Sequence, residues 1–225
     1  MEIVERLDRA RAARNVLEHP FYVRWNAGEL CPGELALYAR EYRQAVLALA
    51  EASELAAAAA PEAHAPGLRR HAEEERSHVA MWDAFASAAR AAADAEAPSH
   101  GPLAQTRGCA SAWTAGADLL EHLAILYVIE AGQPRISEAK IEGLVAHYGY
   151  SPEGPATEYF RVHRRLDVEH ARAARELIVE LLAREPAAGA RGERMLERSE
   201  TALRGNWALL DGVQEGAGQG ALAGL

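Results

Sequence analysis

The run Phe160-Arg161-Val162-His163-Arg164-Arg165-Leu166-Asp167-Val168-Glu169-His170 spaces two imidazoles and a carboxylate as H-x3-D-x2-H. A helix advances about 100° per residue, so His163, Asp167 and His170 fall within roughly 60° of one another on one stripe. Such groups ligate iron, zinc or manganese, and they sit badly together in an apolar core unless a metal joins them. The alternative is a polar helix face in a chain that is 25% charged. Further donors elsewhere in the chain decide between the two.

Two other places carry polar groups on apolar faces. Glu130 ends the apolar run Leu123 to Ile129, and Leu123, Leu126 and Tyr127 share its face. A lone buried carboxylate is expensive without a cation, a metal or donors; an ion pair with Arg135 is the plainer possibility. Between Leu68 and Phe85 the helical stripe reads Leu68, His71, Glu75, His78, Trp82, Phe85, apolar at its ends and polar at its centre, as in a bundle helix that carries ligands midway. Glu73 reads as solvated. Together Glu75, His78, Glu130, His163, Asp167 and His170 offer a mixed carboxylate and imidazole set suited to two iron or manganese ions. A structural zinc site would usually want four closed ligands, often with thiolates.

The elements that must position these donors are helices throughout. Alanine, leucine, glutamate and arginine dominate, and no alternating run of β-branched residues occurs. Prolines and glycines divide the chain into seven or eight helices, near 2–17, 21–28, 33–59, 67–91, 108–132, 135–148, 156–184 and 188–212. Pro32 suits a first helical turn, and 94–107 reads as a loop. Residues 1–211 form one expected domain and 212–225 a flexible Gly/Ala tail. The G-x-G-x-x-A pattern at 216–221 lacks a preceding strand and is rejected as a dinucleotide site. A net charge of −9 argues against nucleic-acid binding. Met1 to Val16 is neither a signal peptide nor an anchor, and no stretch holds about 18 uninterrupted apolar residues, so no membrane contact is expected. Cys31 and Cys109 are too few for a disulfide framework, which points to the cytoplasm.

The chain resembles the heme-oxygenase-like di-metal oxidases, the TenA/PqqC-shaped helical proteins, and within them the branch named for the Chlamydia protein associating with death domains (CADD). The resemblance covers nearly the whole chain. It rests on His19-Pro20-Phe21-Tyr22-Val23-Arg24-Trp25, Tyr38-Ala39-Arg40-Glu41-Tyr42, Glu73-Glu74-Glu75 with His78-Val79-Ala80-Met81-Trp82, Tyr127 to Ile136, Lys140 to Leu144, His147-Tyr148-Gly149 and the H-x3-D-x2-H run. It implies an all-α, heme-oxygenase-like bundle and metal ligation by His78, Glu130, His163, Asp167 and His170. For the remaining ligand on the first ligand-bearing helix, alignment of the acidic cluster chooses Glu74, the stripe chooses Glu75, and His71 is a third position.

The branch includes enzymes that make para-aminobenzoate by oxidising their own tyrosine with a lysine as nitrogen source. Tyr22, Tyr159 and Lys140 stand at the matching positions, whereas Ile129 replaces a tyrosine of that subgroup. The implied function is an O2-dependent oxidase with two non-heme irons, manganese being possible at one position. It acts on a small molecule or its own side chains, takes electrons from an external donor and forms a homodimer. A TenA-like thiamine-salvage hydrolase, which needs a catalytic cysteine, and a non-enzymatic helical partner-binding protein are the alternatives.

Overall fold

The computed structural model describes residues 2–94 and 101–223, with side chains to residue 217. No strand occurs among them. The helices are α1 (Glu2–Ala12), α2 (Pro20–Ala27), α3 (Pro32–Ala58), α4 (Ala65–Ala92), α5 (Ala104–Trp113), α6 (Leu119–Glu130), α7 (Gln133–His147), α8 (Pro155–Leu182) and α9 (Ala188–Ala223), with a 3-10 turn at Val16–Glu18. Local chemistry sets their starts. The Cys31 N–H donates to the Glu34 carboxylate at 2.8 Å, which together with Pro32 fixes the first turn of α3. Ahead of Pro20, His19 Nδ1 accepts the Phe21 N–H.

Three boundaries depart from the sequence expectation. The first helix stops at Ala12, because Asn15 caps the 3-10 turn by accepting the Leu17 N–H. The expected helix over 108–132 starts earlier, at Ala104, and is broken between Trp113 and Leu119. There Asp118 accepts the Glu121 N–H and starts α6, while Gly116 lies against the His122 ring, where an added Cβ would come within 2.5 Å. Residues 95–100 of the expected 94–107 loop lie outside the described residues. At the other end, α9 continues to Ala223 where a Gly/Ala tail was expected from 212. Leu209, Leu210 and Val213 are fully buried there, so packing against α5 and α3 carries the helix past its glycines. Residues 224–225 of that tail lie outside the described residues.

Every residue of α6 is buried; apolar side chains lie on all its sides, and near its start Glu121 pairs with Arg194 and Arg198. It packs against α8, α9, α3 and α1, and α8 also packs on α4 and α7. The three donor-bearing helices α4, α6 and α8 therefore meet through α8. Beside them Tyr22, Trp25, Tyr38, Tyr42, Trp82, Tyr159 and Phe160 form a continuous aromatic block. Its polar handles are satisfied as burial requires: Trp82 Nε1 donates to the Ala39 carbonyl at 2.8 Å and Trp25 Nε1 to the Lys140 carbonyl at 3.3 Å.

Candidate metal centre

Helix α4 presents His71, Glu75 and His78 four and three residues apart. The last turn of α6 presents Glu130, and α8 presents His163, Asp167 and His170. The side chains form two groups that share one residue. The ligand atoms of His71, Glu75, Glu130 and His170 lie within 4.8 Å of one another, and so do those of Glu75, His78 and His163. Glu75 Oε1 is 3.3 Å from His78 Nδ1, 3.7 Å from His170 Nδ1 and 3.9 Å from His71 Nε2; its Oε2 is 3.5 Å from His163 Nε2. His71 Nε2 also lies 2.8 Å from Glu130 Oε1. Asp167 sits beside His170 at 3.5 Å.

Partners behind two of the imidazoles set their orientation. The Tyr159 carbonyl, 2.8 Å from His163 Nδ1, can only accept, so that nitrogen carries a proton and Nε2 is the nitrogen left to ligate. The Glu74 carboxylate, 3.0 Å from His170 Nε2, does the same for the inward Nδ1 of His170. Carbonyl or carboxylate support behind a ligand imidazole is the usual arrangement at metal sites.

Whether a metal fits can be tested on the inward atoms. His71 Nε2, Glu75 Oε1, His78 Nδ1, both Glu130 oxygens, His163 Nε2, both Asp167 oxygens and His170 Nδ1 are buried and make no well-directed hydrogen bond, His71 Nε2 and Glu130 Oε1 included despite the 2.8 Å between them. Buried polar atoms are seldom left so, and here they are aimed at one another. Electrostatics agree. Burial opposes the charge on Glu75, but His163 and His78 outweigh it and hold the carboxyl well below its usual range. Burial drives Asp167 up to about 6 against the pull of His163 and His170. Burial also works against protonating His170, yet Asp167, Glu130, Glu75 and Glu74 raise it to about 9. His71 and His163 are raised in the same way, against burial, chiefly by Glu130 and Asp167 respectively. The space attracts positive charge from every side, and the donor set fits two ions of iron or manganese. The Arg135 alternative fails, because Glu130 is fully buried against His71 while Arg135 is exposed. A cleft of about 470 Å³ reaches His71, Glu74 and His170 from the surface.

Next to the second group lies Lys140, 1% exposed. Its ammonium nitrogen is 4.8 Å from the Tyr42 ring centre, 5.3 Å from Phe160 and 5.5 Å from Tyr22. Burial pushes its pKa down to about 7, and the charge of Asp167 limits the fall. Tyr159 stacks on His163 at 3.9 Å, and the Tyr22 and Tyr38 hydroxyls are 2.8 Å apart. Burial keeps all three phenols neutral, with pKa values well above the ordinary one.

The iron-containing redox enzyme family matches residues 71–204 of the chain, a span that holds every one of the donors just described. The chain belongs to that family. Among its relatives, a 4-aminobenzoate synthase of Chlamydia trachomatis is 30% identical over 94% of this chain and 91% of its own, and one of Chlamydia muridarum is 29% identical over 96% and 92%. A TenA homologue of Pseudomonas syringae shares the fold at a TM-score of 0.78 and 14% identity, covering 95% of this chain and 91% of its own. This iron-containing redox enzyme is therefore an all-α oxidoreductase on the heme-oxygenase-like scaffold, and the non-enzymatic alternative falls away. So does support for a hydrolase with a catalytic cysteine: Cys31 is exposed, and burial raises the Cys109 thiol far above its ordinary pKa.

The structure brings Glu75, His78, Glu130, His163, Asp167 and His170 together. Glu74 turns out to support His170 from behind, with 41% of its side chain exposed. Of the three residues open at the first ligand position, Glu74, Glu75 and His71, the last two face the centre. The stripe carried that signal, since 71, 75 and 78 lie on one face. What the sequence reading gave no role is the part of Tyr38 and Tyr42 in enclosing Lys140, although both stand in the motif that carried the resemblance.

Proposed function

We propose that the enzyme holds two iron ions, manganese being able to take one position, with Glu75 shared between them. His71, Glu130 and His170 serve one ion; His78 and His163 serve the other, with Asp167 alongside. The observation that carries this reading is the pair of donor groups joined at Glu75, whose inward atoms lack any other partner. When bound, reduced iron supplies the electrons that activate O2. The surrounding chain does the rest. Apolar α6 excludes water, Glu74 and the Tyr159 carbonyl hold two imidazoles in the ligating tautomer, and Tyr159 lies flat on His163 at 3.9 Å. A lysine titrating near 7 presents a substantial fraction of neutral amine at physiological pH, and that form is the nucleophile.

We further read the product as para-aminobenzoate, formed from the enzyme's own side chains, with a tyrosine (Tyr22 or Tyr159) as ring source and Lys140 as nitrogen source. Two facts support this: the relatives named 4-aminobenzoate synthase, and the position of all three side chains around one aromatic chamber beside His163 and Asp167. An external electron donor, a homodimer and the cytoplasm complete the proposal. No helix among the described residues is long and apolar enough to cross a membrane. The test is rescue of a para-aminobenzoate auxotroph. Wild type should rescue, and Tyr22→Phe and Lys140→Arg should each fail while retaining iron. Rescue by both variants, or none by wild type, removes the para-aminobenzoate reading and leaves the iron site standing.

A further inference from the structure

On another side of α6 from Glu130 lies a second cleft, of about 370 Å³, walled by Arg11, Arg14 and Arg135 and floored by Ile129, Ile136 and Leu203. Three arginines line it in a chain whose net charge is −9. Little answers them. Arg11 lies 3.4 Å from Asp8, an acid that also accepts from the Tyr127 hydroxyl at 2.8 Å. Arg14 and Arg135 have no ion pair among the described residues. Glu18 lines the cleft too, with one carboxylate oxygen taken by the Asn15 amide at 3.2 Å. Two polar atoms of the wall, Arg11 Nε and Asn206 Oδ1, are buried without a hydrogen-bond partner. A buried polar group left unsatisfied costs its desolvation, and both residues line the cleft.

We infer that this cleft binds a small organic carboxylate with a flat apolar body. Guanidinium groups pair with carboxylates through parallel charge-assisted hydrogen bonds, and the isoleucine and leucine floor rewards an apolar body that inorganic phosphate lacks. The volume sits near the lower end for ligand pockets, ample for one ring with its carboxylate. Asn206 Oδ1 adds an acceptor for a donor on that body. The cleft is built without any metal ligand, and its chemistry is independent of the reaction proposed above, whose product is a compound of this class.

Calorimetric titration of the iron-loaded enzyme with benzoate tests the assignment. Arg14 and Arg135 are exposed, so the double variant Arg14→Gln, Arg135→Gln keeps the fold. Saturable binding of benzoate by wild type is expected, weakened about tenfold or more in the double variant, a loss of the size expected for charged hydrogen bonds. Metal-free enzyme should bind as tightly as iron-loaded enzyme, which separates the cleft from carboxylate coordination at iron. The uncharged analogue benzyl alcohol and inorganic phosphate should both fail to displace benzoate. No binding by wild type up to about 10 mM, equal binding by the double variant, loss of binding with the iron, or displacement by phosphate would each overturn it.

Discussion

A carboxylate buried to 1% exposure, as Glu75 is, stays ionised against burial because His163 and His78 stand 3.5 and 3.3 Å from it, with His170 and His71 at 3.7 and 3.9 Å. Removing it unties both donor groups, so Glu75→Ala should lose nearly all bound iron by elemental analysis while the helical circular dichroism stays near wild type. Glu74 acts from behind. Glu74→Gln should keep iron and weaken it about ten- to hundredfold in chelator competition, the usual effect of altering a partner behind a ligand; iron held as tightly as in wild type would remove its role. Lys140 predicts a pH dependence of stability in the metal-free enzyme. Unfolded, it keeps its proton to about 10.5; folded, it releases it at about 7. Between those values the unfolded chain binds more protons, so this residue's contribution to stability rises with pH. Lys140→Met should therefore melt higher than wild type near neutral pH, by at least about 3 °C, and the gap should narrow toward pH 10. A gap that is constant or widens with pH would contradict the buried ammonium.

At the scale of elements, the donors depend on how α7 and α8 are seated against the aromatic block. Gly143 on α7 faces Trp25, and an added Cβ would come within 2.5 Å of its ring. Gly143→Ala should cost about 1–3 kcal/mol by overpacking in a chemical-denaturation experiment, and it should disturb Lys140, whose carbonyl Trp25 caps. Stability within experimental error of wild type would show that α7 moves freely. The stripe on α4 and the H-x3-D-x2-H run on α8 were legible in the sequence because helical periodicity alone places those side chains. The break between Trp113 and Leu119 was not, since it depends on Asp118 capping and on the approach of the His122 ring to Gly116. Nor was the length of α9, where glycine and alanine resemble a loose tail until Leu209, Leu210 and Val213 find their packing partners. His71 stood on the right face, and only the approach of Glu130 from α6 shows that it is used.

Over the whole molecule, one helix apolar on every side, α6, separates the metal centre from the arginine-walled cleft and carries Glu130 into the first donor group. The surrounding carboxylates raise the pKa of His71, His163 and His170, so metal-free enzyme holds protons on these imidazoles to higher pH than a free histidine does, on His170 to about 9, where ligand lone pairs are needed. Iron binding must release them, and apparent affinity should rise as pH increases through the imidazole range toward about 9, the value for His170; a pH-independent affinity would contradict the assignment of these imidazoles as ligands. The most direct test of the two joined donor groups is anomalous diffraction at the iron edge from iron-loaded crystals. Two peaks are expected, one against His71, Glu130 and His170 and one against His78 and His163, with a Glu75 oxygen at each. No peak among these residues, or a single ion that leaves Glu75 unbound, would contradict the account.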